Sequence, residues 1–336
     1  MCEFSDSGLG SQFTFALAMN ILTGFEVPVH ILGAYCILFH TPAKMLSVKM
    51  TMFVMHFWSC SLDILLTFLV IPYTLLPLSA GIPLGLLSKL QVSPLIQAFL
   101  ILTCGGITGM SILAFFENRY NSMKFGPYAQ PMSTRIKRGV LLAVNYAMGV
   151  GFVVPIYYHL PTREQAWNHT VSTLPCIPEG IIKDPRYFMI STSNRFIFTI
   201  IGTLTLIICS QIFYFLVYSV IALQHRTRKL HRVTSLLQKR FFLALYIQVA
   251  IPMFAYLCPV IYVFCTWVFD ILHQGLNNIT FICIATHGLL STVVMLIVHK
   301  PYRKAVKLKL RVPRCERFRK RSKVTSVREL QLSTIM

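Results

Sequence analysis

Acidic side chains are scarce in this chain. Eleven Asp and Glu stand against 31 Lys and Arg in 336 residues, and all four charged types together make up 12%. A soluble domain carries about 25%, so a large water-exposed surface is excluded. Long uncharged runs, 55% hydrophobic residues and a mean hydropathy of +0.64 point to a membrane instead. Several chemistries are missing too. There is no CxxC pair, no GxSxG, no HExxH and no Gly-rich loop followed by Lys-Ser or Lys-Thr. The chain therefore reads as a non-enzyme that needs no cofactor and no metal. The net charge of +20 is not that of a nucleic-acid binder, because its positive residues lie in loops between apolar runs and in the tail. Residues 1–11 hold Glu3 and Asp6 but no Lys or Arg, and a secretory signal needs a positive start. The first apolar run reads as a retained span.

The informative stretch is 279–298, about twenty residues without Asp, Glu, Lys or Arg, followed at once by His299-Lys300-Pro301-Tyr302-Arg303. Twenty apolar residues at 1.5 Å rise cross a hydrocarbon core of about 30 Å. The tail beyond it, 300–336, carries 13 Lys and Arg against Glu316 and Glu329. Positive flanks stay on the cytoplasmic side, so this span ends inside.

Seven spans result, at about 13–39, 50–76, 94–116, 139–159, 196–223, 241–267 and 279–299. A short outer segment 1–12 precedes them and a basic cytoplasmic tail 300–336 follows. With the amino terminus outside, the inner loops and tail hold 26 of the 31 Lys and Arg. The fold class is an all-α membrane protein, a seven-helix bundle with its carboxyl terminus inside.

Polar residues inside the spans are functional candidates. Glu26 is protonated, paired with His30 one turn on, or facing a wet cavity. Asp63 reads as a polar hub with the hydroxyls Ser291 and Thr292 of span seven. Gly105 and Gly109 share a helix face that serves either packing within one bundle or a receptor dimer. Glu117-Asn118-Arg119-Tyr120 ends span three, where an Arg held in one state and released in another would act as a switch. Tyr302 and Arg303 follow the Pro that stops span seven. Of two sequons, Asn168-His169-Thr170 lies in the longest outer connection and is the glycosylation candidate; Asn278-Ile279-Thr280 sits at the membrane edge. Most of the ten Cys lie inside apolar runs and read as small buried hydrophobes.

The ordered set of local stretches resembles nematode chemosensory receptors of serpentine receptor class H, in the Str superfamily of seven-span G-protein-coupled receptors. The stretches are Pro28-Val29-His30-Ile31-Leu32-Gly33-Ala34-Tyr35-Cys36, Thr41-Pro42, His56-Phe57-Trp58 with Leu62-Asp63, and Ala80-Gly81-Ile82-Pro83-Leu84-Gly85. Phe115-Phe116-Glu117-Asn118-Arg119-Tyr120, Leu174-Pro175-Cys176-Ile177-Pro178 and His287-Gly288 through Lys300-Pro301-Tyr302-Arg303 complete it. The resemblance implies a plasma-membrane receptor of sensory cilia that detects an external small molecule and activates a heterotrimeric G protein. It implies that Arg119 and the basic inner loops, with Glu117, Tyr120, Tyr302 and Arg303, form the coupling region, and that Asp63 belongs to an inner polar network. One residue is inserted relative to the acidic-Arg-Tyr motif of rhodopsin-like receptors, which leaves the reach from Glu117 to Arg119 open. A disulfide from Cys176 has Cys104, Cys2 or Cys265 as alternatives, with a free thiol also open. An outer cavity would draw on Gln97, Thr103, Thr199, Thr203, Tyr262, Trp267, Thr286 and His287. Anionic lipids would meet the basic tail. The competing class is a seven-span transporter or ligand-gated channel.

Overall fold

A computed structural model of the chain describes residues 2–4, 7–125, 130–228 and 258–311, with 243, 247 and 250. Among them, six helices are long and apolar enough to cross a membrane. These are Gln12–His40, Leu46–Leu69, Pro94–Phe125, Met132–Tyr158, Asn194–Ala222 and Gln274–Val298, here spans one to five and seven. A shorter apolar helix, Cys258–Phe269, covers the C-terminal part of the predicted span six. The rest of span six, most of the loop at 224–240 and the tail beyond 311 lie outside the described residues.

Span one shows why these sequences fold as they do. Phe13, Leu17, Ile21 and Phe25 recur every four residues and are exposed, whereas Phe15, Met19, Glu26, His30, Gly33 and Ile37 are buried. Its apolar stripe thus faces outward and its polar residues face the bundle. A helix is the form that satisfies every backbone group internally in hydrocarbon.

Several boundaries differ from those read off hydropathy. Span two ends at Leu69, not near residue 76. A wide π turn over Leu65–Leu69 and a left-handed Ile71 (φ 48°) break the helix before Pro72. Span seven begins at Gln274, five residues before the predicted start at 279. Gln274, Asn277 and Asn278 are buried there, with Asn277 Nδ2 donating to the Leu76 carbonyl (3.1 Å) and Asn278 Nδ2 to that of Leu9 (2.8 Å). Span three runs on to Phe125, nine residues past the predicted end at 116.

The residues past span two build a cap. Strands β1 (Pro72–Thr74), β2 (Ser79–Pro83) and β3 (Phe188–Ser191) form an antiparallel sheet in that order, with Tyr73 opposite Ile82 and Gly81 opposite both Thr74 and Phe188. A Cβ on Gly81 would lie 2.6 Å from the Tyr73 carbonyl oxygen, so the hairpin needs glycine there. Tyr73, Leu75, Leu78, Ile82, Met189, Ile177 and Ile182 bury their side chains beneath it in one cluster with Phe15 and Met19 of span one. The Tyr73 hydroxyl donates to the Gly10 carbonyl (2.8 Å). The connection between spans four and five adds the helix Arg163–Thr173, opened by a Thr162–Gln165 capping box. There the Arg186 guanidinium, 2.7 Å from Asp184, holds that carboxyl below its ordinary range. Cys176 is disulfide-bonded, while Cys104 and Cys265 are free thiols, which removes two of the partners considered for it.

The expected glycine face also changes. A Cβ on Gly105 would meet open space, and one on Gly109 would touch Ile208. Gly106 is the residue packed directly on the Gly149 backbone of span four.

Candidate functional site

Two polar assemblies lie inside the bundle. The first joins spans one, two and seven at mid-depth around Asp63, which is fully buried. His30 Nε2 lies 3.1 Å from Asp63 Oδ2, and His287 Nδ1 lies 3.1 Å from Oδ1. The same His287 nitrogen is 3.0 Å from the Ile284 carbonyl, so one ring position faces both oxygens. Thr292 Oγ1 sits 3.2 Å from His30 Nδ1 and 3.4 Å from His56 Nδ1, and donates to the Gly288 carbonyl (2.8 Å). His56 Nε2 donates to the His30 carbonyl (3.0 Å). Glu26, also fully buried, is 3.0 Å from the Thr67 hydroxyl.

Helix breaks position these groups. Span seven is interrupted at Thr286 (φ −76°, ψ −5°), immediately before His287, and Gly288 follows so close to Asp63 that any Cβ would overlap the carboxylate. Gly33 leaves the corresponding room for His56 and Thr292. A buried carboxylate without partners is expensive, and two imidazoles beside Asp63 meet that need. The sequence reading placed Asp63 with Ser291 and Thr292. Thr292 joins through the histidines, Ser291 is half-buried outside the cluster, and His287, expected in the ligand cavity, is instead the second partner of Asp63.

The second assembly ends span three. Glu117, 1% exposed, accepts from Arg138 of span four through Nε (2.7 Å) and Nη2 (3.0 Å), and from Asn121 Nδ2. Glu117 and Arg119 are two residues apart on one helix and so face different sides; the acid's ion-pair partner is Arg138. Tyr120 packs its ring against Phe215 (5.8 Å) and Tyr218 (6.4 Å) of span five. Span seven ends at Val298, where His299 is extended, and a new basic helix, Lys300–Arg311, starts with Pro301 in its first turn and Arg303 Nη1 donating to the Ile297 carbonyl (3.1 Å). Tyr302 is fully buried, 2.9 Å from the Thr41 hydroxyl, and burial pushes its phenol up to about 12. It ties this helix to the C-terminal end of span one.

The eight outer candidates are not brought into one described cavity. Gln97 is fully buried and anchors the start of span three through the Val92 carbonyl (2.7 Å) and Ser88 (3.3 Å). Thr199 and Thr203 are exposed, and the Thr199 hydroxyl bonds the Arg195 carbonyl (2.8 Å). Thr286 bonds the Cys283 carbonyl (2.8 Å). Tyr262 donates to Asn277 (2.8 Å), and Trp267 stands edge-on to Phe198 at 5.8 Å. Thr103 lines a cleft of about 430 Å³ between spans two and three, with Trp58, Leu65 and Leu100 among its walls. Sequence alone does not single out Arg138, because it follows Arg135 and Lys137 among the basic residues after span three. The signal was available: a buried acid at an inner helix end requires a cation.

Residues 10–312 match the family described as the serpentine type 7TM GPCR chemoreceptor Srh. The chain belongs to this chemoreceptor family. The serpentine class H match is seen in a single relative as well: the chain is 26% identical to serpentine receptor class H-72 of Caenorhabditis elegans over 304 residues, 89% of this chain and 86% of the relative. As a serpentine class H protein it is a multi-pass membrane receptor of the chemosensory GPCR type.

Proposed function

We infer that this receptor sits in the plasma membrane of a sensory cilium, amino terminus outside, detects an external small molecule, and activates a heterotrimeric G protein. The observation that carries the reading is the charge asymmetry of a chain in this family, whose inner loops and tail hold 26 of 31 Lys and Arg. Geometry supports it at both ends. The outer end is closed by a packed sheet, a frame on which a cue can be recognised. At the other end Arg119 and Tyr120 lie on span three, and Tyr302 and Arg303 lie on the basic helix that follows span seven. Arg119 is the residue we assign to G-protein contact, and the basic helix and tail to anionic lipid.

The test is cue-evoked G-protein activation in a heterologous cell. The wild type responds, and Arg119→Ala loses most of the response at equal surface level. A cue-evoked current that persists without any G protein would mark a channel and overturn this assignment.

A further inference from the structure

Arg138 lies in the second turn of span four and meets three side chains with one guanidinium. Two prongs hold Glu117, Nη2 also reaches Asn118 Oδ1 (3.1 Å), and Nη1 donates to Gln130 Oε1 (2.7 Å). Asn118 Nδ2 in turn donates to the Ser47 carbonyl (2.8 Å) and lies 3.2 Å from Thr51 Oγ1, both on span two. The inner ends of three spans therefore converge on a single cation.

Its setting distinguishes it from a surface ion pair. Glu117 is 1% exposed while Arg138 keeps 22%, so a dry carboxylate is neutralised by a cation whose far edge touches water. A two-pronged pair between planar groups is directional; tilting either inner end loosens both prongs together. Higher up, span four is tied differently. Gly106 packs on Gly149, and Asn145 and Gln211 exchange two amide bonds (3.1 and 2.9 Å) with span five. Those contacts leave the inner end able to swing about a fixed middle once Arg138 lets go.

We propose that the Glu117–Arg138 pair is a releasable restraint on the inner ends of spans two, three and four, with Arg138 the positioning residue that sets cue-independent output. The output half of this proposal rests on the G-protein reading above; the restraint itself does not. Full-length receptor carrying Arg138→Gln, Glu117→Gln, or the exchange Glu117→Arg with Arg138→Glu is compared with the wild type and with Arg135→Gln, an exposed neighbour. Two readouts are taken: basal G-protein activation per surface receptor, and backbone hydrogen exchange of the purified protein.

Each single variant is expected to raise basal output about fivefold or more and to speed exchange at 117–125 and 132–138. The exchanged pair returns both toward wild type, and Arg135→Gln leaves hydrogen exchange at wild-type rates. Wild-type exchange rates in both single variants would overturn the restraint, as would an exchanged pair disturbed as much as the singles. Faster exchange with a wild type silent in the G-protein assay would overturn the coupling reading and support the restraint.

Discussion

A hydroxyl carries one proton, and Thr67 Oγ1 has two acceptors, the Asp63 carbonyl at 2.9 Å and Glu26 Oε2 at 3.0 Å. When the proton goes to the carbonyl, the second contact is satisfied only if Glu26 brings a proton of its own. Glu26→Gln supplies an N–H at that place and is expected to keep surface level and thermal stability within about 1 kcal/mol. Glu26→Lys, which buries a cation beside two imidazoles, should abolish surface delivery. If Gln fails as badly as Lys, an ionised Glu26 is required and this account of it falls. Gly288 makes a second residue-scale case. Gly288→Ala drives a methyl into the Asp63 carboxylate and is expected to cost about 1–3 kcal/mol, read as a lowered melting temperature of the solubilised receptor. The sequence marked Glu26, His30 and Asp63 as polar residues out of place in hydrocarbon. It could not show that His287 completes the set, because a helix break at Thr286 decides where that side chain points.

Elements were legible where hydropathy alone determines them. Spans one, three, four, five and seven appear where long uncharged runs predict them, since hydrocarbon permits little but helix. What failed was the ends. Pro72–Thr74 is apolar enough to continue span two, yet Ile71 turns the chain and the segment pairs as a strand. Gln274, Asn277 and Asn278 lie before the predicted start of span seven, yet they reach carbonyls contributed by distant segments. Those partners lie some 200 residues or more away in the chain, beyond any local pattern. Helix packing gives a direct comparison. Gly106→Ala sets a methyl against the Gly149 backbone and is expected to destabilise by about 1–3 kcal/mol, whereas Gly105→Ala meets open space. Equal melting temperatures for the two variants would contradict the placement of spans three and four.

At the scale of the whole molecule, a sheet-and-helix cap closes one end of the bundle and a basic helix lies at the other. Glycosylation reports on that cap. Asn168 is exposed on the helix Arg163–Thr173, while Asn278 is buried with its amide on the Leu9 carbonyl. Any glycan on the receptor is therefore expected at Asn168. Asn168→Gln should abolish the enzyme-sensitive mass shift and Asn278→Gln should leave it in place; a shift lost only with Asn278→Gln would contradict the packing of span seven. The sidedness beneath all of this rests on where Lys and Arg accumulate. It is tested most directly by epitope tags at the two ends, stained in intact and then in permeabilised cells. The account predicts an amino-terminal tag visible on intact cells and a carboxyl-terminal tag visible only after permeabilisation; both tags on one side of the membrane, or the reverse order, would contradict it.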